Sequence, residues 1–350
     1  MKNKQMSSSM KTLIIALCFI VGAGLFIGIL RKMGHKNPGY YEISANIEKD
    51  KIIWDNGFSL TLYLDGKSNN IRRESARAQV VYTEALKEIK PLFDAEKINE
   101  NKDNIAAAIA GQGQPVKVHP VIFNALSDIE NRGGDAMLYL RESAFRSLWR
   151  DLLYLNEPSN FDPLVNADTR ERLSAVYKAQ NEEDSLTLKL DSSNMSASIT
   201  LSPAYENILT SYEVDAPALD LGLLGDAYML EQLSQRLIDE GFSKGYISSD
   251  SGIILSLPDT ADISQSFYGM YEGTGIKAAD ILLKAGEACC TLYAFPQSAD
   301  TGGYYALLGL RRHPYIDKEG EPNQEVLSVA AMSEKGDAAG AALTALNLFR

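Results

Sequence analysis

The sequence predicts an α+β fold, in which helices and strands are mixed along the chain without a regular strand–helix–strand repeat. Alternating apolar and polar residues at 51–66 and 185–201 predict strands, and the second stretch has the turn signal "DSSN" near its middle. Helical spacing of apolar residues at 72–90 and 223–238 predicts amphipathic helices. No internal repeat is visible, which argues against a solenoid.

The composition allows a large core and argues against nucleic-acid binding. The 350 residues are 45% apolar, and the net charge is −12 with a pI of about 4.9. The first 36 residues contain six of the 34 Lys and Arg and no acidic residue, so the rest of the chain is strongly acidic. Phosphate contacts need clustered cations, which such a body lacks. Three His and three Cys suggest no zinc site, and the adjacent Cys289 and Cys290 suggest free thiols in a strand.

The N-terminus contains the uncharged stretch "TLIIALCFIVGAGLFIGIL" at 12–30. As a helix it would span roughly 28 Å, which is close to the thickness of a bilayer core. We interpret it as an uncleaved transmembrane signal anchor, with a short cytoplasmic tail at 1–11 and a polar tether at 31–50. The domain at 51–350 would then be extracytoplasmic. A cleaved signal peptide is the alternative, and it gives the domain the same location.

Shorter elements follow in the body. The stretch 104–110 is Ala-rich and helical, and 116–132 predicts a short strand followed by a helix with Pro120 in its first turn. The stretch 137–155 is amphipathic and predicts a helix. Further strands are predicted around "GIILSLP", "CCTLYAFP" and "YYALLGL", and the small-residue helix "GDAAGAALTALNLF" lies at the end.

The stretch "APALDLGLLGDAYMLEQLSQRLIDEGFSKGYISSDSG" at 216–252 predicts a turn, an amphipathic helix, a cap at Gly241 and a strand. Backbone N–H groups near Gly225, at the start of the helix, would suit an anion such as a phosphate. The alternative is a simple tight turn into the helix. Asp226 favours the alternative, because its carboxylate would repel an incoming phosphate.

Four segments, in order, resemble motifs of the ApbE-type FAD:protein FMN transferase family. "NGFSLTLYLDG" at 56–66 resembles the family's first strand, and 218–252 resembles its Asp-Leu-Gly-Gly-Ile-Ala-Lys-Gly-Tyr-Ala-Leu-Asp stretch. "RRHPYIDKEGEP" at 311–322 resembles its His-Ile-Ile-Asp-Pro-Arg-Thr-Gly segment, and 327–346 resembles its metal-binding helix. The resemblance covers 50–350 and implies an ApbE-like, T-fold-like domain of mixed antiparallel sheets and helices.

The resemblance implies a chemistry and a set of site residues. Enzymes of this family are exported, often membrane-tethered, and use Mg²⁺ to split FAD and attach FMN to a Thr or Ser of a partner protein. The partner here would be an extracytoplasmic flavoprotein or electron-transfer protein. His313 would be the catalytic residue beside the flavin, and Asp337 would bind the Mg²⁺. The residues implied for flavin-nucleotide binding are Asp220, Gly222, Gly225 and Tyr228.

The sequence departs from the family pattern at polar positions of the site. Asp226 and Ala227 stand where the family has Lys and Gly, and Ala341 replaces a metal-binding Thr. Tyr139 and Arg141 replace the Asp and Thr of a further motif. These exchanges leave two main hypotheses: an active flavin transferase, or a catalytically degenerate member that acts as a flavin-binding or scaffold module through protein partners. An unrelated surface domain is a third.

Overall fold

The computed structural model describes residues 37–46, 57–66, 68–271, 274–297 and 302–350. In this part of the chain it has thirteen strands and nine α-helices. The strands are β1 (Gly39–Ile43), β2 (Phe58–Leu64), β3 (Val116–Lys117), β4 (Leu186–Asp191), β5 (Ser196–Leu201), β6 (Gly245–Ser249), β7 (Ile253–Ser256), β8 (Ile263–Tyr271), β9 (Thr274–Leu283), β10 (Ala288–Tyr293), β11 (Tyr305–Leu307), β12 (Leu310–Arg312) and β13 (Ser328–Ser333). The helices are α1 (Ser68–Ile89), α2 (Ile105–Ala110), α3 (Pro120–Arg132), α4 (Gly134–Arg141), α5 (Ser143–Leu153), α6 (Ala167–Gln180), α7 (Pro203–Ser211), α8 (Gly222–Asp239) and α9 (Ala338–Asn347).

The predicted cytoplasmic tail at 1–11 and the predicted anchor at 12–30 lie outside the described residues. Among the helices that are described, none is both long and apolar enough to cross a bilayer. The anchor and the alternative of a cleaved signal peptide therefore stay predictions.

A six-stranded antiparallel sheet in the order β1-β2-β6-β7-β10-β13 is the centre of the fold. Its strands alternate as the period of two requires: in β2, Phe58, Leu60, Leu62 and Leu64 are buried, and the residues between them are more exposed. Helices α1, α8 and α9 pack against each other and against this sheet, with the main core between the two layers. This packing positions the start of α8, which contains Gly222 and Gly225, and the start of α9, which Asp337 caps.

Strand β1 comes from the segment that the sequence assigned to the tether. It pairs with β2 in an antiparallel register that sets Ile43 opposite Leu60, and Ile43 is only 3% exposed. Residues 39–43 therefore belong to the folded domain. No strong strand signal marks this segment, because only one of its five residues is buried.

A second body of structure combines helices α3 to α7 with the three-stranded sheet β3-β5-β4. The single helix predicted at 137–155 is divided at Glu142 into α4 and α5. At the break, the Ser143 hydroxyl donates to the carbonyl of Leu140 and accepts from the N–H of the distant Asp220, and Glu142 pairs with Arg350. Phe145 and Trp149 on α5 form part of a second hydrophobic cluster.

Several predicted elements are confirmed. The helix at 72–90 is α1, the hairpin at 185–201 is β4–β5, and Gly241 follows α8 with a φ of +83°. The long hairpin β8–β9 was not predicted. Nearly all residues of β9 are exposed, so it lacks the apolar alternation by which a strand is recognised.

Candidate functional site

The N-terminus of α8 is the place where the resemblance puts the flavin nucleotide. Gly222 begins the helix with a φ of +48°, and its N–H donates to Asp220 Oδ1 at 3.0 Å. The next N–H, that of Leu223, donates to Tyr139 Oη at 3.0 Å. The N–H of Gly225 donates to the carbonyl of Leu221 at 3.2 Å. These N–H groups, which could bind an anion, therefore already have partners within the protein.

Tyr139 is held against this turn by Arg146. The guanidinium carbon lies 3.6 Å from the centre of the Tyr139 ring, and the guanidinium donates to the carbonyls of Tyr139 and Asp220. A Cβ atom added to Gly222 would lie 2.7 Å from Tyr139 Oη, so the phenol approaches the glycine backbone closely. Burial raises the pKa of Tyr139 despite the opposing charge of Arg146, so its side chain is a neutral phenol.

A cavity of about 470 Å³ opens beside this turn. Asp220 and Asp226 both line it, together with Arg146. Burial raises the pKa of Asp226 to about 6, and the charge of Asp220 adds to the effect, while a hydrogen bond from Ser251 and the charge of Lys90 oppose it. Above that pH the Asp226 carboxylate is charged, which weakens the attraction of Arg146 for a phosphate.

Tyr228 and Asp337 lie together, away from the α8 turn. Tyr228 Oη donates to Asp128 Oδ2 at 2.7 Å. Asp337 caps α9, because its Oδ1 accepts from the N–H of Gly340 at 2.8 Å, and the same oxygen accepts from Arg132 Nη2 at 2.7 Å. We call Asp128, Arg132, Tyr228, Glu231 and Asp337 the Arg132 cluster.

These residues do not fit a magnesium site. Mg²⁺ requires nearly octahedral oxygen ligands, whereas the Asp337 carboxylate is bound by a guanidinium and a backbone N–H. Ala341, at the position of the implied second ligand, offers a fully buried methyl group. Within the described ranges, no three His, Cys, Asp or Glu side chains are arranged to hold a metal ion.

His313 is fully buried, and both of its ring nitrogens have partners. Nε2 lies 2.8 Å from the carbonyl oxygen of Asn323, and Nδ1 accepts from the N–H of Tyr315 at 3.3 Å. Phe349 stacks on Tyr315, with ring centres 4.6 Å apart, and lies 6.2 Å from the imidazole. Burial lowers the pKa of His313 to about 4. The imidazole is therefore neutral, with no free nitrogen to act as a general base in this conformation.

The structure brings some of the predicted residues together and separates others. Asp220, Gly222 and Gly225 share the α8 turn, whereas Tyr228 points to the Arg132 cluster and reaches Asp337 only through Asp128 and Arg132. His313 lies apart from both the α8 turn and the Arg132 cluster, and its imidazole is near Phe349. The predicted set is therefore divided among three environments.

Arg132, Asp128 and Arg146 were not among the predicted site residues. Asp128 and Arg132 lie four residues apart on a predicted helix, which is a spacing typical of an ion pair and could have indicated that contact. The contact of Arg132 with Asp337 joins residues 205 positions apart and leaves no signal in local sequence. Arg146 likewise meets Asp220 only in the folded chain.

Comparisons with known proteins identify the fold. The ApbE protein from Thermotoga maritima superposes with a TM-score of 0.57 at 15% identity, over 89% of this chain and 86% of that one. The flavin transferase ApbE from Vibrio cholerae superposes with a TM-score of 0.51 at 14% identity, over 83% of each chain. No protein-family profile and no curated protein sequence matches the chain. The chain has the ApbE-like fold that its sequence motifs predicted, at a distance typical of a diverged protein.

Proposed function

We propose that this chain is a catalytically degenerate ApbE-like protein that acts as a scaffold or binding module through protein partners. The observation that carries the proposal is that the backbone N–H groups of the α8 turn are already hydrogen-bonded within the protein. Asp220 and Tyr139 accept from the N–H groups of Gly222 and Leu223, where the resemblance implies a nucleotide. A flavin nucleotide would have to displace the buried Tyr139 phenol and bind beside Asp226.

The Arg132 cluster and His313 support the same proposal. The cluster does not fit Mg²⁺, so it would not supply a metal ion to offset the charge of the FAD phosphates. His313 would have to leave its pocket beneath Phe349 before it could accept a proton from a hydroxyl group.

A titration of FAD into the full chain in detergent, with and without Mg²⁺, tests the proposal by fluorescence. We expect no saturable binding up to about 1 mM FAD, which corresponds to a binding free energy weaker than roughly 4 kcal/mol. Gly222→Ala is the matched control, because its added Cβ narrows the turn further. Micromolar binding that tightens with Mg²⁺ and is lost in Gly222→Ala would refute the proposal.

The second candidate function is FMN transfer from FAD to a Thr or Ser of a partner protein. Two observations favour it: the likeness in fold to a flavin transferase, and the cavity of about 470 Å³ beside Asp220 and Gly222. Release of AMP from FAD in the presence of an acceptor protein distinguishes the two candidates. Release that depends on the chain supports transfer, and its absence supports the degenerate module.

For the cellular location, we propose a domain held at the outer face of a membrane by residues 12–30. The support is the uncharged length of this stretch and the six flanking cations within the first 36 residues. The partners would then be extracytoplasmic proteins, among them flavoproteins or electron-transfer proteins. Protease added to intact cells, after removal of any outer barrier, should digest the domain; a domain that is cleaved only after lysis would contradict the proposed location.

A further inference from the structure

Arg132 joins two carboxylates that are far apart in sequence. It is the last residue of α3, and its Nε donates to Asp128 Oδ2 at 2.6 Å, one helical turn earlier. Its Nη2 donates to Asp337 Oδ1 at 2.7 Å, and its Nη1 lies 3.4 Å from Asp337 Oδ2. The side chain of Arg132 is only 26% exposed. The planar guanidinium therefore contacts both oxygens of Asp337 while it holds Asp128.

The surroundings of Arg132 are rich in oxygen and in negative charge. A cavity of about 340 Å³ is lined by Asp128, Glu231 and Asp337, and Lys335 is the other cation that lines it. Burial raises the pKa of Glu231 to about 7, although its hydrogen bond from the N–H of Ala339 opposes the shift and Asp337 adds to it. Asp128 and Asp337 thus contact the guanidinium directly, and Glu231 lines the same cavity.

The charge of Arg132 is firmly held in this setting. Its guanidinium donates to Asp128 at 2.6 Å and to Asp337 at 2.7 Å, so its charge is offset by two carboxylates. A divalent ion that approached Asp337 would have to displace this side chain. It would also have to give up water, which Mg²⁺ does reluctantly.

We propose that Arg132 is the built-in cation of this site and takes the place of a divalent metal ion. Because the guanidinium is part of the chain, its effective concentration at Asp337 is fixed and does not depend on metal supply. The wild-type site is then independent of divalent ions. The three carboxylates of this cavity are not arranged to hold a metal ion in the described structure, but removal of the guanidinium frees Asp128 and Asp337 to turn toward a hard divalent cation.

The test is Mn²⁺ binding to the full chain in detergent, measured by calorimetry and by electron paramagnetic resonance of free Mn²⁺. We expect no saturable binding to the wild type up to about 1 mM, and at least about tenfold tighter binding to Arg132→Ala. Arg132→Gln, which keeps much of the side-chain length without the charge, should also gain binding and guards against a failure of Arg132→Ala to fold. Arg132→Lys keeps a cation in place and should behave as the wild type does.

Further variants test whether the Mn²⁺ binding gained by the Arg132 variants occurs at Asp337. Asp337→Asn, added to Arg132→Ala or Arg132→Gln, should abolish the gained binding. Lys277→Ala is the matched control, because it removes a cation from an exposed ion pair with Asp280 and should gain no Mn²⁺ binding. The proposal is overturned by wild-type binding that Asp337→Asn abolishes, or by a folded Arg132→Gln that binds no Mn²⁺. FAD is absent from these experiments, so the result does not depend on whether the cavity beside the α8 turn binds a flavin.

Discussion

His313 illustrates how burial changes what a residue can do. The side chain that the sequence assigned to catalysis is surrounded by Tyr315 and Phe349 and bonded through both nitrogens to the backbone. Its pKa is lowered from 6.5 to about 4, because burial disfavours the charged imidazolium. The chemistry of this residue is therefore that of a neutral hydrogen-bonding group in the core.

The lowered pKa makes stability depend on pH in a defined direction. Between pH 6.5 and about 4 the unfolded chain binds a proton at His313 and the folded chain does not. The contribution to the free energy of unfolding is therefore complete above pH 6.5 and is lost as the pH falls, up to about 3 kcal/mol. The free energy of unfolding, measured with urea at several pH values, should fall less steeply with decreasing pH for His313→Gln than for the wild type over this range. An equal slope in both proteins would contradict the burial argument.

Among the single elements, helix α8 has two parts with different partners. Its first turn is bonded to Asp220 and Tyr139, whereas Tyr228 and Glu231, farther along, face Asp128 and the N–H of Ala339 at the start of α9. The helix therefore links the α8 turn to the Arg132 cluster. At both places, side chains of the protein make the hydrogen bonds where the resemblance implies a ligand: a flavin nucleotide at the α8 turn and Mg²⁺ at Asp337.

Gly222→Ala tests how closely Tyr139 seals this turn. The positive φ of +48° strains any other residue, and the new Cβ would lie 2.7 Å from Tyr139 Oη. We expect a loss of about 1–3 kcal/mol in the free energy of unfolding, measured with urea. The loss should be smaller in a Tyr139→Phe background, because that change removes the oxygen. Gly134→Ala in α4 has open space around its Cβ and should change stability by less than about 1 kcal/mol.

At the scale of the whole molecule, a buried ion pair joins the small sheet β11–β12 to the helices of the second cluster. Arg312 Nε lies 2.6 Å from Asp162 Oδ2, and the two side chains are 2% and 0% exposed. Tyr305 Oη donates to the same oxygen at 2.8 Å, and Trp149 Nε1 donates to the carbonyl of His313 at 2.9 Å. These contacts hold the His313 segment against the helices.

Asp162→Asn should therefore destabilise the domain strongly. It leaves the Arg312 charge buried without its full partner, which typically costs about 3–5 kcal/mol. The comparison is Lys277→Ala in the exposed pair with Asp280, where about 1 kcal/mol or less is expected. Urea unfolding of the three proteins gives the values, and equal effects of the two variants would contradict a structural role for the buried pair.

Local patterns in the sequence were enough to predict many of the helices and strands, and the order of the motifs predicted the ApbE-like fold. Apolar periodicity marks α1, and the turn residues mark β4–β5 and Gly241, because these signals lie within a few neighbouring residues. It also identified the α8 turn and the exchange at Asp226. It could not show that β1 completes the sheet or that Glu142 divides a helix, since both depend on distant partners.

The groups that occupy the site are brought there by contacts that form only in the folded chain. Arg132 reaches Asp337 across 205 residues, Arg146 reaches Asp220 across 74, and Phe349 packs near His313 from the end of the chain. Such contacts are selected by packing and charge in three dimensions and leave no spacing in the sequence. Asp220, Gly222 and Gly225 share the α8 turn, whereas Tyr228, Asp337 and His313 lie in two other environments, and the hydrogen bonds of these residues are made to the protein itself.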